Sequence, residues 1–361
     1  MKITAVRADP LKLATILVRV YTDDGTVGLG QLIGRKPAAA VAYINDVLTP
    51  LVIAEDPTRT DRLWERMYWM GNGRFGWIQA IAALDMACLD IRGKAAGKPI
   101  YDLLGGAART TIPLYWSMGR GLMKSPEQML ADVEKGWKLG FRAFKIRMDW
   151  HELRLDEDPA KDIRMARLCR EFLPEGVPLG FDANGGYTVS TAIRQGLILQ
   201  ELGIGHFEEP IRTNDVAGLR AVADALALPV AFGEFEKTRW RFRELIELGN
   251  PDILQPDILN AGGPSEVKRI YELAETFGKP VMPHSPDVGI TSFASLHVYS
   301  TVTNATHAHE YSPELYDFDA DRVQEMFEEP VLPTDGTIRL SDKPGLGLTL
   351  REKALDQLIV S

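Results

Sequence analysis

From residue 111 onward the chain repeats one pattern, a short apolar run followed by a helical segment. The runs are IPLYWS, AFKIRM, VPLGFDAN, IGHFEEP, PVAFGE, ILQPDIL, PVMPHS and HAHEYS. Strand and helix alternating at this pace predict a parallel sheet. Eight such units predict a closed (β/α) barrel. The alternative is an open doubly wound sheet, but no glycine-rich dinucleotide turn follows a first strand. GLGQLIG (28–34) has the wrong spacing for one and is read as a tight turn.

In a barrel, chemistry sits at the C-terminal ends of the strands. The polar residues ending these runs are Lys145 with Arg147, Asp182, Glu208, Glu234, Asp257, His284 and Glu310. From Asp182 the steps are 26, 26, 23, 27 and 26 residues, each about one βα unit. A single polar strand end says little, because strand ends meet water. Consecutive ends carrying such groups at one structural period point them into one mouth. In FKIR, Lys145 and Arg147 share a strand face.

Asp182, Glu208 and Glu234 fall on three adjacent strands. Three converging carboxylates repel and raise one another's pKa unless a cation intervenes. An oxygen-only set suits one Mg²⁺, or Mn²⁺, better than zinc. Glu208 and Glu209 alternate, so a regular strand would turn only one inward, and spacing alone leaves open which. Asp257 beside His284 would orient the imidazole and raise its pKa, as a general base near neutrality requires. The other histidines read as packing: His206 inside a strand, His297 in an apolar helical pattern, His307 and His309 around the last strand. His151, after the cationic strand, is a weaker candidate for substrate contact.

The first 111 residues have a different texture. ITAVRA and ILVRVYT are strand-like, and DDG at 23–25 is a hairpin turn. Residues 37–105 read mainly as helix, with WIQAIAALDMACLDIRGKAAG buried and ending near Gly97. The net charge of −9 argues against nucleic acid or an anionic membrane as partner. It leaves room for a small carboxylate substrate next to Lys145 and Arg147. Two cysteines, no apolar run of membrane-spanning length and no signal-like apolar core in MKITAVRADP lead to the expectation of a soluble cytoplasmic protein.

The ordered set ALDMACLDIRGKAAGKPIYDLLGG, FKIR, DAN, EEP, GE, QPD, PHS and HEY resembles the mandelate racemase-like subgroup of the enolase superfamily. The resemblance covers essentially the whole chain. It implies a modified (β/α)₇β barrel (112–324) lacking its last helix, an α+β capping domain (1–111), and a tail (325–361) returning to the cap. It implies Asp182, Glu208 and Glu234 as Mg²⁺ ligands, which chooses Glu208 over Glu209. It also implies Asp257 and His284 as the catalytic dyad, Glu310 as the acid that hydrogen-bonds the substrate carboxylate, and Asn184 as a substrate contact. Members begin by removing a proton α to a carboxylate, and the resulting enediolate needs a metal and cations around it. A homo-oligomer, dimer or octamer, is implied as well.

One departure bears on the reaction. The subgroup usually carries Lys-x-Lys where this chain has Lys145-x-Arg147. A guanidinium stays protonated, so Arg147 is a poor base but a good carboxylate fork. That disfavours a racemase or epimerase, which does best with a base on each face of the α-carbon. It suits an acid-sugar dehydratase converting an aldonate or aldarate to a 2-keto-3-deoxy acid. Cycloisomerase and amino-acid epimerase relatives place a lysine where QPDILN has Asp257. Specificity is expected from the capping loops DPLKLAT, with Lys12, and YWMGNGRFG, with Trp69, Asn72 and Arg74. Trp116 and Trp150 are candidate pocket walls. A non-catalytic binder on the same barrel is the rival from another class, but pure binding does not need a dyad.

Overall fold

The computed structural model describes residues 1–33, 37–71, 76–149, 155–316 and 323–360. The N-terminal region forms an antiparallel sheet of β1 (Ile3–Leu11), β2 (Thr15–Thr22) and β3 (Val27–Ile33), in that order. Residues 37–52 are helical, followed by helices Thr60–Met70 and Ile78–Ala96. The second is almost wholly buried and ends where Gly97 turns left-handed at φ 64° and returns its N–H to Gly93 and Lys94. Each large aliphatic side chain it buries contributes roughly 1.5–3 kcal/mol.

GLGQLIG is not a tight turn. Residues 28–33 lie within strand β3, which packs on this helix. A Cβ at Gly28 would sit 2.1 Å from the Ala87 carbonyl oxygen, and one at Gly30 would sit 1.9 Å from that of Ala83. These glycines let strand and helix backbones nearly touch.

The second sheet is parallel: β4 (Thr111–Met118), β5 (Phe144–Arg147), β6 (Leu179–Asp182), β7 (His206–Glu208), β8 (Val230–Phe232) and β9 (Ile253–Leu254), with β10 (His309–Tyr311) beside β4. Helices intervene, two of them started by Asp158 and Asp215 and one by a Ser125–Gln128 capping box. The seventh run, PVMPHS, is reduced to a single bridge between Val281 and Leu254. Pro280 and Pro283 flank it and have no N–H to extend the ladder. A short 3₁₀ turn, Pro313–Tyr316, follows β10.

The tail contacts both regions. Strand β11 (Thr337–Arg339) pairs antiparallel with β4 of the barrel. Leu346 N–H donates to Asp90 in the cap helix. Ile359 bridges Leu11 at the end of β1. Among the described residues no helix is long and apolar enough to cross a membrane. Cys88 and Cys169 are both free and buried.

Candidate active site

Register brings the strand ends together. Lys145 stands opposite Ser117 on β4 and Gly180 on β6, Arg147 opposite Asp182, and Asp182 opposite Glu208. Glu234 follows two residues after β8 ends. Asp182, Glu208 and Glu234 each place a carboxylate oxygen within 4.8 Å of the others, and all three are buried.

The Lys145 ammonium is fully buried among acids: Glu208 Oε1 at 2.6 Å, Glu310 Oε1 at 3.1 Å and Asp182 Oδ2 at 3.8 Å. Burial pulls its pKa down, but Glu208 and Glu310 outweigh this and hold it well above an ordinary lysine. Burial and then Glu208 push Asp182 well above the carboxylate range. Burial also raises Glu234, against the opposing pull of His284. Glu208 goes the other way: burial raises it, but Lys145, His206 and Gln255 together outweigh that and hold it below the ordinary carboxylate range. One lysine therefore does not neutralise the cluster. Hard, buried, oxygen-only donors with surplus negative charge fit a Mg²⁺-type cation.

Glu209 belongs to this cluster, which strand alternation would not suggest. β7 ends at Glu208, and Glu209 takes a left-handed φ of 35°. Its carboxyl is buried, and its pKa is driven well up by burial and by Glu234 and Asp182. Its Oε1 has no hydrogen-bond partner. Gln255 Nε2 and the His206 ring also approach Glu208, at 2.6 and 3.6 Å.

The dyad residues meet. His284 Nδ1 lies 2.9 Å from Asp257 Oδ2, and Asp257 Oδ1 accepts the N–H groups of Leu259 and Asn260 at 2.8 Å each. This holds the proton on Nδ1 and leaves Nε2 for the mouth, 3.7 Å from Glu234 Oε2. Burial lowers the imidazole pKa, but Glu234 and Asp257 raise it, to about 10. Glu310 accepts Ser285 N–H at 2.7 Å. Burial pushes its carboxyl up, but Lys145 and His284 pull it down to about 2.

Arg147 is held from outside the cluster, by Ser312 and Glu314 at 3.4 Å and Asp149 at 3.5 Å. Glu314, which the sequence reading passed over, also takes Lys124 at 2.7 Å and Gly119 N–H at 2.5 Å. Asn184 turns left-handed at φ 48°, donates to both oxygens of Asp182 and accepts Asp149 N–H. Its amide braces Asp182 within the protein.

Of the capping-loop candidates, Lys12 and Trp69 are described. Lys12 Nζ donates to the Gln357 carbonyl of the C-terminal segment. Trp69 is 57% exposed, bonds Glu65, and lines a cleft of about 590 Å³ with Tyr68, Phe235 and Trp240. Trp116 does not wall the site. It packs against Gly136 of helix Pro126–Lys138 and donates to Asp132 O. Adjacent strand residues face opposite ways, so Tyr115 and Ser117 turn inward while Trp116 turns out. Both inward hydroxyls are buried, and Lys145 Nζ lies 5.4 Å from the Tyr115 ring. Asn72, Arg74, Trp150 and His151 lie outside the described residues. His309 bonds Ser295 and His297 bonds Leu346 O, both in structural positions.

Residues 128–354 match the enolase C-terminal domain-like family, and residues 3–105 match the mandelate racemase/muconate lactonizing enzyme N-terminal domain. The chain belongs to the mandelate racemase/muconate lactonizing enzyme family of the enolase superfamily. Among relatives of this family member, arabinonate dehydratase of Saccharolobus solfataricus is 33% identical, over 95% of this chain and 90% of that one. D-galactarolactone cycloisomerase of Agrobacterium fabrum is 30% identical, over 99% and 98%. A mandelate racemase/muconate lactonizing protein from Paracoccus denitrificans, solved in complex with magnesium, superposes at a TM-score of 0.92 with 33% identity, over 99% and 98%. The superfamily's capping sheet and parallel barrel are the two sheets described above.

Proposed function

We propose that this chain is a lyase that dehydrates an acid sugar, an aldonate or aldarate, to a 2-keto-3-deoxy acid. The observation that carries the reading is the His284–Asp257 dyad aimed at the rim of a buried carboxylate triad that also holds Lys145. The dehydratase relative supports the substrate class.

Asp182, Glu208 and Glu234 would hold one Mg²⁺, or Mn²⁺, per subunit. A bound divalent ion supplies Lewis-acid stabilisation of charge developing on the substrate carboxylate. Lys145 and Arg147 add fixed positive charge, and Glu310 hydrogen-bonds the carboxylate when a shared proton is available. His284 Nε2 takes the α-proton while Asp257 fixes the ring. The electron pair of the broken C–H bond moves toward the carboxylate and then expels the β-hydroxyl. The His284 imidazolium returns a proton to that leaving group, so one water is lost. The enol then tautomerises to the keto acid. Arg147, whose terminal nitrogens rest on Glu314 and Asp149, acts as a fixed cation and not as a base. The site recognises a small carboxylate, and we propose a homo-oligomer, dimer or octamer, to be read by light scattering.

The test is proton NMR in D₂O with Mg²⁺ and a panel of aldonic and aldaric acids and lactones. Growth of a 3-deoxy keto acid supports dehydration and names the sugar. Exchange of the α-proton without loss of water means a racemase or epimerase, and lactone opening or closing means a cycloisomerase. Either overturns the proposal.

A further inference from the structure

The loop after β9 carries the acid of the dyad, and one of its side chains joins three parts of the molecule. Asp257 is fixed by the turn that follows it, through the N–H groups of Leu259 and Asn260. The aim of His284 therefore depends on where that turn sits. Asn260 anchors the turn in two directions. Its Nδ2 donates to the Glu234 carbonyl oxygen at 2.9 Å, on the neighbouring strand end. Its Oδ1 accepts from Gln79 Nε2 at 2.7 Å, in the first turn of cap helix Ile78–Ala96 and 181 positions away in sequence.

Two other cap side chains reach the same loop. Trp64 Nε1 donates to Gly262 O at 2.6 Å, and Asp85 accepts the N–H and hydroxyl of Ser265 at 2.8 Å each. Both lie further along the chain and hold the start of helix Pro264–Thr276. Asn260 alone, among the described residues, links cap, triad backbone and dyad turn. An amide suits the place because it donates and accepts from one rigid plane. A carboxylate could serve Gln79 but could not donate to Glu234 O, and an apolar side chain could do neither.

We infer that Asn260, held by Gln79, is a positioning residue that couples the seating of the cap to the alignment of His284 with the triad. Its side-chain amide is taken up by Gln79 and the Glu234 carbonyl. Its effect passes through the Asp257 turn and the Glu234 backbone. The inference rests on the proposed proton abstraction by His284, but the pairing of Asn260 with Gln79 can be tested without turnover.

The experiment uses the full chain with Asn260→Leu, Gln79→Met and the double substitution. The first readout is the downfield proton resonance of the His284 Nδ1–H group, assigned by its loss in His284→Asn. The second is affinity for Mg²⁺ alone by calorimetry, and the third is kcat and KM on the panel substrate. A misalignment of this kind should cost kcat about 10–100-fold. KM and Mg²⁺ affinity should stay within about threefold, and the double variant should be no worse than Asn260→Leu, as for residues acting through one contact. The His284 resonance should broaden or move in both single variants. An unchanged resonance, or losses that add between the two sites, overturns the coupling even if kcat falls. Gln79→Met, at a half-buried surface position, keeps the test available if Asn260→Leu does not fold. A wild-type enzyme with no activity on any acid sugar refutes the dehydratase reading, and the resonance and Mg²⁺ data still decide the coupling.

Discussion

Replacing Lys145 with methionine removes the ammonium that, among the described residues, is buried between the strand-end carboxylates, while keeping a side chain of similar length. At an effective dielectric constant near 20, Coulomb's law gives about 6 kcal/mol for the 2.6 Å approach to Glu208 and about 5 kcal/mol for the 3.1 Å approach to Glu310. Desolvation of the ammonium offsets much of this. Breaking a buried pair by deleting one partner costs about 3–5 kcal/mol, because the acids are left without compensation. For a chain of 361 residues this corresponds to a fall in Tm of about 4–7 °C. A divalent cation on the triad would supply the missing positive charge. Excess MgCl₂ should therefore raise the Tm of Lys145→Met more than that of the wild type, both measured by calorimetry against EDTA. Turnover should fall about 10²–10³-fold even with Mg²⁺, since the substrate carboxylate loses a fixed cation. Equal melting of the two proteins in EDTA, or equal shifts on adding Mg²⁺, would refute the electrostatic account of this cluster.

Loss of an outer-shell partner typically weakens metal binding about 10–100-fold, so Asp182→Asn, Glu208→Gln and Glu234→Gln should each weaken Mg²⁺ binding at least that much by calorimetry. His284→Asn should slow α-proton exchange into D₂O by about 10²–10⁴-fold while sparing Mg²⁺ affinity. In the metal-free protein the His284 pKa, about 10, lies above the ordinary 6.5. Its charge thus adds stability that is complete below about pH 6.5 and lost as pH rises through about 10. His284→Asn should flatten that part of a urea-melt pH series in EDTA. Gly30→Ala would set a methyl group against the Ala83 carbonyl and should cost about 1–3 kcal/mol, read as a lower urea midpoint with unchanged slope.

The architecture was legible because a repeat is visible without knowing any contact. Asp182, Glu208 and Glu234 stand at one structural period, and that alone predicted that they would converge. Glu209 was ambiguous because its placement depends on where β7 stops, a backbone event at φ 35° that alternation cannot anticipate. Glu314 was missed because it follows the last strand, outside the period, and its partners Gly119, Lys124 and Arg147 are nearly 170 positions away or more. The reading of residues 28–34 failed for a related reason. Glycine serves turns and close packing alike, and only the helix some 50 positions later decides between them. Trp116 was misplaced although the same alternation that put Lys145 and Arg147 on one face would have turned it outward.

The bridge between Leu11 and Ile359, with Lys12 reaching Gln357 across 345 positions, has a bearing on the order of assembly. Every strand bearing a triad or dyad residue is synthesised before the segment that borders β1. During synthesis the barrel can collect its acids while the first sheet still has an unpaired edge at the end of β1. The end of β1 is therefore covered only once the C-terminal segment has been made and laid against it.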